Sequence, residues 1–239
     1  MRAIDRIVAV LDSIGSAEGD ANIARVAAVC GLPLPTAARI VHDLSAVGAV
    51  TRDAHSGLLA LGPRVQGWAA QTRVLSGPVG HLVVMQRVRD AIHETVSLQV
   101  LAGQSRVCIA CVEGDLEVRR VVAVGSTQLA TSGATGAALL AYMDPKDIAQ
   151  VFTLCGLRHA EADRVRRILR EVSLHGFASA ADAVVENVAA VAVPVRTEKR
   201  GVLGVLAASG PAFRFTEEAR IASVPLLKQS AGDIALAWR

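Results

Sequence analysis

The stretch ANIARVAAVCGLPLPTAARIVHDLSAVG, residues 21–48, decides how this chain is read. Its first part puts Ile23, Val26, Ala27 and Cys30 at helical spacing. Gly31 stops the run, as glycine does at the left-handed position that closes many helices. Leu32 and Pro33 make the turn. A second helix opens near Pro35, a residue tolerated in the first helical turn. It carries Ala37, Ile40, Val41, Leu44 and Val47 inward, and Gly48 ends it. Two short amphipathic helices joined by a tight glycine-containing turn are a helix-turn-helix, whose second helix lies in a DNA major groove. The outward residues of that helix are Leu34, Pro35, Thr36, Arg39, His42 and Asp43. Arg39 can reach a guanine edge or a phosphate, and Thr36 a phosphate or a thymine methyl.

Helical spacing alone also fits an ordinary helical core, so the flanks carry weight. Upstream, Ile4, Ile7, Val8, Leu11 and Ile14 predict one more helix, closed by Gly15. Downstream, residues 49–61 give two strand-like runs around a turn rich in Asp, Ser and Gly. A hairpin directly after the reading helix is a wing. Arg52 and His55 sit where a wing approaches the DNA backbone. Gly62, Pro63 and Arg64 end this first module. A connecting helix is expected over residues 65–75, interrupted by Gly67 and broken at residues 76–78.

The rest reads as an α+β unit. A helix is expected over Val79–Ile92, then strands over 95–101, 106–113 and 116–124. Helices follow over 133–142, Pro145–Leu154 and 160–174. Two more strands, 188–195 and 202–208, precede a closing helix over 216–238 with Thr216 as its N-cap.

Composition sets bounds and names no chemistry. Of 239 residues, 52% are apolar and only 3% aromatic, so Ala, Val and Leu must do most of the packing. The net charge is +3, and residues 1–76 hold seven Arg, no Lys and six acidic residues. Bulk charge is no argument for nucleic acid here; the pattern is. The longest charge-free stretch is broken by polar residues and glycines, and charges crowd the N-terminus. Neither a membrane span nor a signal peptide is expected, which points to the cytoplasm.

No hydrolase, zinc-protease, phosphate-loop or dinucleotide motif appears. The chain is therefore read as no enzyme, with no cofactor. Cys108 and Cys111 form a CxxC inside an apolar strand. Residues three apart on a regular strand face opposite ways, so the pair is not expected to converge on a metal. Cys30 and Cys155 are read as small core residues.

Taken together, several short motifs resemble the IclR family of bacterial transcriptional regulators over nearly the whole length. In the first module they are residues 23–31, Leu32-Pro33, Thr36, Arg39, Leu44, Gly48, Arg52-Asp53 and the Leu61-Gly62-Pro63-Arg64 run. In the second they are Glu94-Thr95-Val96, Val124-Gly125-Ser126, Gly136 with residues 138–141, His175-Gly176-Phe177-Ala178, Ala192-Val193-Pro194-Val195 and Ser209-Gly210-Pro211. The resemblance implies a winged helix-turn-helix over residues 1–64 and a linker helix over 65–77. It implies a GAF-like effector-binding and oligomerisation domain over 78–239, with a central antiparallel sheet. It further implies operator DNA and a small-molecule effector as partners, and self-association as a dimer or a dimer of dimers.

The effector positions implied by the resemblance are Ala134, Thr135, Ala180, Val188, Ala190, Ala207 and Ser209. The family's frequent Asp, Cys and first Ser are Ala180, Ala190 and Ala207 here. Few groups then remain to hold an anion, and an apolar, aromatic or amino-acid-like effector is expected. Two alternatives stand beside it: a ligand-independent repressor with a vestigial pocket, and a thiol-based redox sensor.

Overall fold

The structure is a computed structural model that describes residues 2–17, 19–71 and 79–238. It divides into two compact units, Met1–Ser76 and Gly77–Arg239.

The first unit opens with α1 (Ala3–Gly15), α2 (Ile23–Cys30) and α3 (Leu34–Ala46). The Asn22 side chain accepts from the Arg25 N–H at 3.0 Å and starts α2. Gly31, at φ +61°, closes it in the left-handed conformation. The hairpin β1 (Val50–Arg52) and β2 (Leu59–Leu61) pairs Val50 with Leu61 and Arg52 with Leu59. Val10, Ile14, Val26, Val41, Val50 and Leu59 form one core that ties the hairpin to all three helices. After the hairpin comes α4 (Pro63–Gln71). The expected continuation of this helix to residue 75, and the break at 76–78, lie outside the described residues.

The second unit is built on a six-stranded antiparallel sheet. Its strands are β3 (Thr95–Ala102), β4 (Ser105–Val112), β5 (Thr127–Leu129), β6 (Ala178–Ala181), β7 (Val188–Thr197) and β8 (Gly201–Pro211). Their order is β5-β4-β3-β8-β7-β6. Strand alternation divides the sheet into two faces. On one face Val96, Leu98, Val191, Val193, Leu206 and Ala208 pack with α5 (Val79–Ile92) and α9 (Glu217–Ala237). On the other, Ala192, Val205 and Ala207 pack with α6 (Gly133–Leu140), α7 (Pro145–Leu154) and α8 (His159–His175). Gly136 lets α6 sit close: a Cβ there would lie 2.3 Å from the carbonyl oxygen of Ala130.

Three expectations need correcting. Residues 116–124 form no strand; they run as an irregular segment, and the short β5 follows instead. With Val118, Val121 and Val124 all exposed, alternation alone overstated the run. Ala178–Ala181 is an unanticipated edge strand, because four small residues carry almost no strand signal. The two CxxC thiols do not face opposite ways. A bulge in the β3–β4 ladder pairs Cys108 with Gln99 but Cys111 with Ser97, two residues of one face.

Among the described residues no single helix is long and apolar enough to cross a membrane.

Candidate effector cavity and DNA-reading surface

In the first unit, packing of Ala37 and Val41 into the core turns the opposite side of α3 outward. Leu34, Pro35, Arg39 and His42 are exposed, and Thr36 is half-buried. Arg39 and His42 follow Pro35 and Thr36 at steps of three and four, which makes one row along the helix. Among the described residues neither Arg39 nor Arg52 forms an ion pair. Arg52 ends β1, and His55 lies in the exposed tip of the hairpin. The tip is fixed by Asp53. Its carboxylate accepts the Ser56 N–H and hydroxyl, each at 2.7 Å, and the His55 N–H at 3.1 Å. Those bonds, the Ser56 N–H first, hold the carboxyl below its usual range.

The helix α4 is stitched to the end of α3. The Arg64 N–H donates to the Gly48 carbonyl at 3.2 Å, and its guanidinium to the Val47 carbonyl at 3.1 Å. Gly62 permits this approach, since a Cβ there would lie 2.3 Å from the Gly48 oxygen.

In the second unit a cavity of about 190 Å³ lies between the sheet and the start of α6. All seven positions named from the sequence line it: Ala134, Thr135, Ala180, Val188, Ala190, Ala207 and Ser209. They come from four elements: α6, β6, β7 and β8. Ala183, Val184 and Val185, in the loop after β6, close one side.

Three sheet residues outside the expected set change the character of this cavity. They are Ser97 and Gln99 on β3 and Arg106 on β4, all of them buried. Arg106 Nη1 donates to Gln99 Oε1, and Arg106 Nη2 to Gln128 Oε1. Gln99 Nε2 donates in turn to the Ser97 hydroxyl at 3.0 Å. Arg106 Nε has no acceptor among the described residues. Burial, and then the nearby Arg120, push the Arg106 guanidinium down to about 10, with Cys108 opposing. Arg120 also lines the cavity, whereas none of the 21 lining residues is acidic. The lining therefore holds more polar groups than the seven expected positions alone supply. The family-like positions are indeed alanines, but the polar groups sit on β3 and β4.

The thiols are poor candidates for chemistry. Burial raises Cys108 to about 12 and Cys111 to about 11. A thiol held that high is almost entirely protonated near neutral pH, and the thiolate is the reactive form. Among the described residues no group of three or more His, Cys, Asp or Glu could hold a metal ion.

Comparison with known proteins covers both units. Residues 3–54 match the IclR helix-turn-helix domain, and residues 81–236 match the bacterial transcriptional regulator IclR C-terminal family. A probable transcriptional regulator SauR of Cupriavidus necator is 25% identical over 96% of this chain and 94% of its own length. A regulator from Alicyclobacillus acidocaldarius shares the fold with a TM-score of 0.78, at 23% identity over 99% of this chain and 98% of the other. An IclR homologue from Microbacterium hydrocarbonoxydans, solved with 4-hydroxybenzoate, gives 0.73 at 22% identity, over 99% and 98%.

Proposed function

Because the chain belongs to the IclR family of bacterial transcriptional regulators, we propose that it binds operator DNA through α3 and the wing, and that a small molecule in the sheet–α6 cavity modulates that binding. One observation carries the reading. A single chain joins an outward Pro35–Arg39–His42 row, with Thr36 half-buried beside it, on a winged helix-turn-helix to a separate unit with a partly open, polar-floored cavity. Arg39, with Thr36 and His42, reads base edges or phosphates, Leu34 and Pro35 give apolar contacts at the helix start, and Arg52 and His55 touch the backbone from the wing. The seven positions on α6, β6, β7 and β8 contact the effector. An operon for catabolism or biosynthesis is the expected target, and the cytoplasm the place of action.

The helix α4 is the linker between the reader, residues 1–64, and the sensor, residues 78–239. Its bonds to Val47 and Gly48 support a role as lever, since a rotation of α4 pulls on the end of the reading helix. The protein works as a homodimer or a dimer of dimers, which sets two α3 helices on half-sites about one helical turn apart. An exposed apolar row on α1, Ile4, Ile7 and Val8, supports self-association.

The test is fluorescence anisotropy on DNA from the chain's own upstream region, across salt, with and without candidate effectors. Salt-dependent, sequence-selective binding that an effector shifts by about 5–150-fold is the expected result. Binding that no small molecule alters favours the ligand-independent alternative. Binding without sequence preference refutes the reading.

A further inference from the structure

A second, larger cavity lies beside the first and has no part in the reading above. Its volume is about 580 Å³, and α6, α8, β6 and the start of α9 border it. No residue of β3, β4, β7 or β8 lines it, whereas all four strands contribute to the first cavity. The two linings share only Gly133, Ala134, Ala180 and Ala183. Most of the second lining is apolar. Leu140 comes from α6, Val165, Ile168 and Val172 from α8, Phe177 from the turn before β6, and Ile221 from α9. Ile168 and Ile221 are 45% and 44% exposed. Single apolar residues on a surface are ordinary, but these two, on different helices, border one concavity. A bound apolar group would take their remaining surface out of water, which is favourable.

The charge points one way. Glu171 and Glu217 line the cavity, and no Lys or Arg does. Among the described residues neither glutamate forms an ion pair. Glu217 opens α9, where a helix start suits an acid. Glu171 lies near the C-terminal end of α8, which disfavours one. Two cations touch lining residues, and both are held by other groups. Arg220 donates to the Ser179 hydroxyl at 2.7 Å and to the Phe215 carbonyl at 2.8 Å, and Lys228 donates to the His175 carbonyl at 2.8 Å. Among the described residues no group of acidic, His or Cys side chains could hold a metal ion. The cation that suits this cavity is therefore an organic one, with an apolar body for the walls and a positive group for the rim.

We propose that the cavity between α6, α8 and α9 is a second small-molecule site, which takes an organic amine with its apolar body between the helices and its ammonium group at the exposed Glu171–Glu217 rim. The volume lies within the range of small-molecule sites, about 300–1,000 Å³. It is well above the roughly 150 Å³ that accommodates benzene, which leaves room for two fused rings or an eight-carbon chain. This site goes beyond the effector reading above and does not rest on it, because its helical walls belong to no part of the first cavity.

The experiment titrates the full chain by calorimetry with octylamine and 1-naphthylmethylamine, and with the alcohol and the carboxylate that share each apolar body. At least one amine is expected to bind, its alcohol about two- to fivefold more weakly, as an exposed ion pair allows, and its carboxylate more weakly still. Added salt should shrink the amine's advantage and leave the alcohol unchanged. The Glu171→Gln/Glu217→Gln double variant should bring amine and alcohol level. Ile168→Lys, which sets a positive charge on the rim, should weaken the amine below its alcohol. Circular dichroism and thermal melting show whether each variant is folded, and Glu171→Gln alone serves if the loss of Glu217 unsettles α9. No binding by either amine, equal binding of amine and alcohol, or amine binding unchanged in these variants overturns the proposal. Sedimentation of wild type and Ile168→Lys identifies the other occupant. If neither amine binds and Ile168→Lys breaks self-association, this face is a contact between copies of the chain, and the amine site falls. An amine that binds as expected while leaving operator affinity untouched upholds the site, whatever becomes of the effector reading.

Discussion

Replacing Arg106 by methionine should make the ligand-free protein more stable, an outcome few point substitutions produce. Burial lowers the guanidinium to about 10. A displacement of that size means the charged form costs about 3 kcal/mol in the fold, at about 1.4 kcal/mol per unit. Against this, methionine leaves Gln99 Oε1 and Gln128 Oε1 without their donor. Each lost bond costs about 1 kcal/mol. The thioether chain keeps most of the packing. The net is a gain of about 1 kcal/mol, or about 2–4 °C for a unit of this size. The pH dependence has a definite sign. The folded-state value lies below the ordinary one, so above about pH 10 the unfolded chain holds more protons. Wild-type stability then rises with pH relative to the variant. The variant's advantage is full near neutral pH and shrinks as pH climbs through about 10. Urea melts of both proteins, compared as a difference at each pH, read this directly. A variant less stable by about 1 kcal/mol or more would mean that the Arg106–Gln99–Gln128 network is net structural. The reasoning that burial of the charge costs more than its two bonds return would then fail.

Three further substitutions or treatments test other parts of the argument. Arg39→Ala should weaken operator binding by about 1–3 kcal/mol if it reads a base; a phosphate contact would instead lower the salt slope by about one with little change in sequence preference, and unchanged anisotropy would remove Arg39 from the interface. Gly136→Ala pushes a Cβ to 2.3 Å from the Ala130 carbonyl oxygen, which is backbone and cannot swing aside, so the second unit should lose about 2 kcal/mol in urea melts; a neutral result would show that α6 can slide. Cys108 and Cys111, raised to about 12 and about 11 mainly by burial, should resist Ellman's reagent at about pH 8 in the native protein and react on unfolding. Fast native labelling of either one would revive the thiol-sensor alternative.

The reading module was legible because each of its signals is local. Gly31 and Gly48 punctuate α2 and α3, and both adopt positive φ, +61° and +74°. Ala37 and Val41 mark the buried side of α3, which leaves Arg39 and His42 outside by subtraction. The second unit was legible where strands alternate strongly, as in β7 and β8. It was not where the backbone departs from its own period. Residues 116–124 look like a strand because valines recur, yet their side chains gain no partner sheet. Ala178–Ala181 looks like nothing because pairing with β7 defines it, and that pairing is remote in sequence. The bulge between Leu98 and Gln99 shifts the β4 alternation by one residue, which no count of spacings reveals.

That same bulge bears on the cavity. Gln99 pairs with Cys108 and Leu101 with Arg106, so Ser97, Gln99 and Arg106 share the face turned to α6. In a linear reading Arg106 is one arginine among many at the start of an apolar strand. Only the cross-strand register puts it in a cavity lined also by alanines, valines and the polar residues Ser97, Gln99, Arg120 and Ser209. Ala180, Ala190 and Ala207 therefore do not leave the cavity without polar groups. Their small side chains leave the volume, and the β3–β4 floor supplies the charge. Introducing a carboxylate by Ala180→Asp or Ala207→Asp would place an acid within the same lining as Arg106. Such an acid should compete with an organic carboxylate and raise its dissociation constant, while leaving a neutral ligand of the same size nearly unaffected.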